Sequence, residues 1–225
     1  MAAAEAGRRG TRHRPHRRRE KAFCTGIDRA DVPTEEGAYT FDPLTYEDPG
    51  RFIGPRSQAL WKPIIGAVNG MACGGAFYLL GEVDFIVAAE HATFFDPHVT
   101  YGMPAVFEPA LMSARMPFGE VMRMTLMGNR ERISAQRAER IGMVTQVVPG
   151  SELAQVTHDL AVVIASYPPA AVQASLRTVW AARDVPVGLM NDLGNLFLNV
   201  AMSAEALRSG QDTFQKRTNE PPTIR

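Results

Sequence analysis

Residues 62–81 restrict what this chain can fold into more than any other stretch. Lys62-Pro63-Ile64-Ile65-Gly66-Ala67-Val68 is an apolar run of strand length and Asn69-Gly70 a turn. Gly74-Gly75 then leads into Ala76-Phe77-Tyr78-Leu79-Leu80-Gly81, which can be helical. Residues 84–89 supply a further strand and residues 92–95 a shorter one. The order strand, glycine turn, helix, strand predicts a β–α–β unit with a right-handed crossover.

Around this segment the chain is unevenly built. Residues 1–20 form a basic tail, predicted to be disordered. From Arg8 to Lys21 eight basic residues stand against Glu5 and Glu20, although the whole chain balances 24 basic with 24 acidic residues. The run lacks aromatic stacking partners and a folded reading motif, so it reads as a solvated tail and not as a nucleic-acid arm. Ala22-Phe23-Cys24-Thr25-Gly26-Ile27-Asp28 reads as a strand end entering a loop, and residues 29–56, broken by Pro and Gly, as a mobile loop or lid. Helices are predicted over 104–116, 119–127, 134–142, 151–166, 169–182, 186–202 and 203–216, with a β-like stretch at 143–148. The methionines in these helices are read as core filler.

No apolar run reaches the roughly 18 residues of a spanning helix, and no secretory core opens the chain. Two cysteines, Cys24 and Cys73, are too few for a disulfide scaffold or a cysteine-built metal centre, which suits a reducing cytoplasm. No metal is expected; His13 and His16 in the tail lack further ligands.

A double glycine before a helix leaves backbone N–H groups unpaired with no β-carbon in the way, so an anionic oxygen can be held there. Tight helix–strand packing is an equally good reason for such a pair, so a second donor is required. The Ile27 amide, after Gly26, supplies it if both loops meet at one sheet edge.

Taken together these residues resemble the crotonase (enoyl-CoA hydratase/isomerase) superfamily. Lys21-Ala22-Phe23-Cys24-Thr25-Gly26-Ile27-Asp28 resembles its AFCxGxD motif, and the segment from Lys62 to Gly75 its KPxIAAVxGxAxGGG motif. Gly128-Asn129-Arg130-Glu131-Arg132-Ile133-Ser134-Ala135 with Ile141-Gly142-Met143-Val144 resembles its TGxxISAxxAxxxGLV block. The likeness runs from residue 21 to about 217. It implies an α/β fold, the ββα spiral of that superfamily, with a spiral core over 21–150 and a C-terminal helical trimerisation region over 151–225. It also implies a homotrimer or a dimer of trimers. The substrate would be an acyl-CoA thioester, with no cofactor beyond the coenzyme A it carries, and no membrane partner. Ile27 and Gly75 would be the two amides on the thioester oxygen. Ala22, Cys24, Thr25, Gly26, Asp28, Ala72, Gly74, Pro97 and Gly102 would line the substrate, and Phe214 and Lys216 of the closing helix would approach the nucleotide.

The sequence departs from the family in two places. Hydratases place one Glu three residues after the second oxyanion glycine and another after the Pro of a later strand; here those positions are Tyr78 and His98. His98, in Asp96-Pro97-His98, titrates near neutrality and can be a base oriented by a carboxylate, or a hydrogen-bonded packing residue. Tyr78, one helical turn after Gly75, can face the pocket or the core. Glu108, in an apolar stretch where burial would raise its pKa, is a second acid–base candidate and Asp96 a third. Relatives also carry about 50 to 70 residues before the AFCxGxD motif, the scale of a first structural layer. Here 21 precede it, so either the start is displaced or part of the sheet is missing. The missing glutamates keep open a second function, a catalytically inactive acyl-CoA binder.

Overall fold

Each pass of the chain through its first part lays down two strands and a helix. In the computed structural model, which describes residues 22–28, 49–215 and 224, β1 (Ala22–Cys24) is followed by β2 (Ile65–Val68) and β3 (Met71–Cys73), parted by the Asn69-Gly70 turn. Then α1 (Ala76–Glu82) returns the chain for β4 (Phe85–Ala89) and β5 (Thr93–Phe95). The second pass stacks on the first in register. β2 and β4 run parallel with Ile65 opposite Phe85, and β3 and β5 run parallel with Met71 opposite Thr93. The β2–α1–β4 crossover is the expected unit, and β3 is a strand that the sequence reading passed over between its two glycine signals.

Two sheets result. One has the order β1-β3-β5-β6, closed by the antiparallel β6 (Ile133–Ser134); the other has the order β2-β4-β7, ending on β7 (Gln146–Val148). Strand β4 is buried on both faces. Ile86 and Ala88 join Phe77 and Leu80 of α1, Val68 and Phe94, while Val87 and Ala89 pack with Val148 and Leu153 in a smaller cluster. Met112, Met116, Met124 and Met143 complete the larger cluster, so the core-filler reading holds for Met112, Met116 and Met124 but not for Met122 and Met127, which α3 turns outward to solvent.

The chain divides into two compact units. The first comprises residues up to Leu60 together with Ile64–Ala161, and the second comprises Trp61–Pro63 with the chain from Val162 onward. Besides its strands the first unit carries α2 (Phe107–Met112), α3 (Phe118–Met127) and α4 (Ala135–Arg140), the last capped by the Ser134 hydroxyl, which accepts from the Arg137 amide. The helix predicted from residue 104 starts at Phe107. A start at 104 would place Pro109 inside the helix, where its ring meets the carbonyl four residues back; starting at Phe107 puts Pro109 in the first turn, where no N–H is needed. Helix α5 (Leu153–Ala165) follows β7. In the second unit α6 (Pro169–Asp184) packs on α7 (Val187–Ala201), Arg177 lies 4.3 Å over the Trp61 ring, and α8 (Ala204–Gln215) follows. The basic tail, residues 29–48 and Lys216 lie outside the described residues, as does the side chain of Phe214. No helix of the described residues is long and apolar enough to cross a membrane.

The segment before β2 is fastened to α1 by a buried carboxylate. Glu82 accepts from the Arg56 amide at 2.7 Å, from the Ser57 amide at 2.8 Å and from the Ser57 hydroxyl. Gly54 lies so near that a β-carbon there would sit 2.1 Å from Glu82 Oε2. Next to it Asp84 accepts from the Ile64 amide at 2.6 Å and from the Arg56 guanidinium. Truncating Glu82 would strand two amides and a hydroxyl in a poorly hydrated position. Glu82→Ala is expected to cost about 1–3 kcal/mol in urea unfolding, and to speed protease cleavage between residues 50 and 60 relative to wild type.

Candidate active site

Three parallel strands, β1, β3 and β5, lie side by side with Ala22 opposite Met71, Ala72 opposite Phe94 and Cys73 opposite Phe95. Their carboxyl ends therefore emerge together, and the loops that leave them carry Gly26 and Ile27, Gly74 and Gly75, and Asp96 to His98. A crevice at the carboxyl ends of parallel strands is where α/β sheets gather their ligands. Because β3 is the middle strand, Gly74-Gly75 stands between the other two loops.

The first two loops touch. Gly26, at φ +81°, is so close that a β-carbon on it would lie 3.1 Å from the Gly75 nitrogen; a β-carbon on Gly75 would lie 3.2 Å from Gly26 Cα and 4.0 Å from the Ile27 nitrogen. Among the described residues neither the Ile27 nor the Gly75 amide has a backbone acceptor. Gly75 is the N-cap of α1 without side-chain capping, while the Phe77 amide is already taken by the Gly74 carbonyl at 2.9 Å. Ile27 is 65% exposed.

The third loop brings the titratable groups. Gly74 sits against it, with a hypothetical β-carbon 3.6 Å from Pro97 Cδ and 3.7 Å from His98 Cε1. Asp96 Oδ1 accepts from the His98 amide at 3.0 Å, an Asx-turn, and lies 2.5 Å from His98 Nδ1. On the far side of the ring, Nε2 is 3.4 Å from Oε1 of Glu108, which is 5% exposed. The hydrogen bond to Asp96 raises the His98 pKa above its ordinary value; burial lowers it, and the charges of Asp96 and Glu108 raise it further.

Two neighbouring parts hold this loop. His98 opens a 3-10 turn, His98–Tyr101, closed by Gly102 at φ +73°. The turn docks on the 3-10 turn Gly128–Arg130: the Thr100 hydroxyl accepts from the Asn129 amide at 2.9 Å, and Asn129 Nδ2 donates to the Tyr101 hydroxyl at 3.1 Å. Glu108 comes from α2, which crosses α1 where Gly81 leaves room for Leu111; Arg115 donates to the carbonyls of Gly81 and Val83.

The remaining candidates fall around this centre. Ala22 and Cys24 lie half-buried on β1, Thr25 and Asp28 are exposed beyond it, and Ala72 is buried on β3. Burial and the neighbouring Cys24 push the Cys73 thiol up to about 11, which makes it a packing group and no nucleophile. The Tyr78 ring is laid against Gly50, where a β-carbon would lie 2.1 Å from Cε1. What the residue types alone left unseen is the docking of Thr100 on Gly128 and the grip of Asp96 on two N–H groups. The second had a signal, the Asp-x-His spacing of an Asx-turn.

A stack of ββα passes with converging amides at one strand end is the architecture of the crotonase superfamily. The model of the enoyl-CoA hydratase/isomerase family matches residues 18–215, and the chain belongs to that family. It is 34% identical over 201 residues to (E)-benzylidenesuccinyl-CoA hydratase of Thauera aromatica, covering 88% of this chain and 75% of that protein. To carnitinyl-CoA dehydratase of Salmonella typhimurium it is 34% identical over 205 residues, covering 88% and 76%. Among solved structures an enoyl-CoA hydratase/isomerase from Mycobacterium paratuberculosis superposes with a TM-score of 0.77 at 31% identity, over 88% of this chain and 76% of that one. The protein is thus an enzyme of the enoyl-CoA hydratase type, a lyase-like acyl-CoA enzyme.

Two outcomes test this geometry. Gly128 has φ +56° and ψ −133°, and a β-carbon there would lie 2.2 Å from Thr100 Oγ1, so Gly128→Ala should cost about 1–3 kcal/mol, measured by denaturant melts. With the His98 pKa raised in the fold, the linked stabilisation is complete below the unfolded imidazole's value of about 6.5 and is lost as pH rises through the folded value. The gap in melting temperature between wild type and His98→Gln should therefore be wide near neutrality and narrow as the pH is raised.

Proposed function

We propose that the enzyme adds water reversibly across the double bond of an enoyl-CoA thioester, holding the thioester oxygen between the Ile27 and Gly75 amides. The observation that carries this reading is the contact of the Gly26 and Gly75 loops with His98 packed against Gly74. Water attacking the β-carbon moves an electron pair through the α-carbon onto the carbonyl oxygen. Two amides aimed at that oxygen stabilise the enolate, and one such donor is worth about 2.7–4 kcal/mol in acyl transfer. The water's proton must leave as its oxygen bonds, and a proton must then reach the α-carbon. His98 and Glu108 are read as the pair that accepts the one proton and supplies the other, in place of two glutamates.

Several features agree with an acyl-CoA substrate. Val99, Met103 and Val106, in the segment that joins His98 to Glu108, expose apolar side chains beside the acid–base pair. The relatives are named for hydration or dehydration of CoA thioesters. Tyr78, laid on Gly50, is read as wall and not as acid. We further read the enzyme as cytoplasmic, as using no cofactor beyond substrate coenzyme A, and as a trimer or pair of trimers. The exposed Leu189, Leu196 and Leu198 on α7 offer apolar surface for self-association, which light scattering of the purified chain tests.

The decisive assay follows the absorbance of crotonyl-CoA, longer enoyl-CoAs and aryl-substituted enoyl-CoAs. Wild type is expected to turn over at least one of them. Gly75→Ala, whose β-carbon would push against the backbone of Gly26, should lose about 10²–10³-fold in kcat, and Glu108→Gln or His98→Ala about 10²–10⁴-fold. Tight thioester binding with no turnover across the panel would make the chain a catalytically inactive acyl-CoA binder, and absence of binding would end the reading.

A further inference from the structure

Three carboxylates are buried among the described residues: Glu82, Asp96 and Glu108. Glu82 is explained by the amides and hydroxyl it receives. The other two stand on opposite sides of one imidazole, and their arrangement constrains where protons are. Asp96 is fully buried. Its Oδ1 takes both the backbone and the Nδ1 hydrogen bonds of His98, and its Oδ2 has no hydrogen-bond partner among the described residues. A carboxylate so placed is tolerated where a cation faces it.

The ring's proton count follows from donor and acceptor roles. With Asp96 ionised it can only accept, and the 2.5 Å contact then places a proton on Nδ1. If that were the ring's only proton, the Nε2 lone pair would face Oε1 of Glu108 at 3.4 Å, acceptor against acceptor. A second proton in this gap, on either Nε2 or Oε1, replaces the repulsion by an attraction across 3.4 Å. The charged and titratable groups around the ring are consistent with this. Asp96 and Glu108 face it directly, and both favour the imidazolium. Cys73 on β3 feels Asp96 but is an undissociated thiol, and Arg132, stacked 4.4 Å over Phe95, acts on Cys73.

We propose that Asp96 is a positioning residue of the reaction: by fixing the Nδ1 proton of His98 it commits Nε2 to share a proton with Glu108. Asp96, His98 and Glu108 then work as one acid–base unit that enters turnover already carrying that proton. The inference rests on the reading of His98 and Glu108 as the acid–base pair. It adds a function for a residue that touches neither substrate nor the thioester oxygen. Its mechanistic content is that the proton which ends on the α-carbon is resident in the His98–Glu108 gap before substrate arrives, and that the proton released by the attacking water refills it.

The experiment is a titration of the His98 ring nitrogens by NMR on the full-length chain with labelled histidine, the His98→Gln spectrum giving the assignment. In wild type both ring nitrogens should be protonated or hydrogen-bond-shared at pH 7. In Asp96→Asn, which keeps an acceptor for Nδ1 but removes the charge, the ring should lose its second proton at lower pH. Glu108→Gln should act in the same direction and serves as the variant if Asp96→Asn does not fold. Kinetically, Asp96→Asn should lower kcat by about 10–100-fold at pH 7, leave KM within about twofold, and move one limb of the pH–rate profile with the ring's titration. A His98 at pH 7 in wild type whose Nε2 is neither protonated nor hydrogen-bonded, or a titration unmoved in both variants, overturns the inference. Loss of all thioester turnover with the His98 titration still raised would instead count against the proposed function and leave the unit standing.

Discussion

The parallel pairing of β1, β3 and β5 is the constraint on which the rest of this molecule depends. Three short strands, three residues each, are locked in neighbouring registers, so each chain segment that leaves them has no choice but to start one strand spacing, about 5 Å, from the next. The sheet provides their proximity, and the helix that follows β3 holds the middle one. Burial secures the sheet from behind, since Phe77 and Leu80 of α1 pack with Phe94 and Val68 in one continuous core.

Within that frame, side-chain absence matters as much as side-chain chemistry. Gly26 and Gly75 are close because neither carries a β-carbon, whereas at Gly74 a β-carbon would meet Pro97 and His98 at ordinary contact distance and it is the φ of +54° that favours glycine. The first two glycines make room for backbone donors, and the third turns the chain beside the imidazole. Glu108 reaches the imidazole from a different element, α2, so the polar groups are drawn from successive turns of the spiral and not from one local motif. This is economical in sequence but demanding in packing: every one of these groups relies on a neighbour that is itself fixed elsewhere, as the His98 turn relies on Gly128 and Asn129.

How much of this could be read in the sequence depended on whether the determining interactions were local. The β2–α1–β4 crossover was legible because its apolar runs and glycines are contiguous, and the long helices α3, α5, α6 and α7 because their periodicity extends over ten or more residues. Strand β3 was hidden: three residues between an Asn-Gly turn and a double glycine offer no period to detect, and its identity comes from its partners on either side. Pro104 signals a helix start in the sequence, but Pro109 is tolerated only in a first turn, so α2 begins at Phe107. His98, Glu108 and Asp96 were each visible as chemistry-bearing residues. Their placement on two sides of one imidazole was not, since it depends on Glu108 returning to the ring through a helix ten residues downstream.

Helix α1 has a further role that follows from its two ends. It begins just after Gly75, and near its other end Gly81 is the point against which Leu111 of α2 is pressed. Seven residues of helix are about 10 Å long and nearly incompressible. It acts as a gauge block, setting the span from the amide nitrogen at its start to the helix that delivers Glu108. One residue added within it would swing everything beyond by about 100° and carry Leu111's seat to another side. The length of this short helix is therefore under tighter restraint than its apolar composition would suggest.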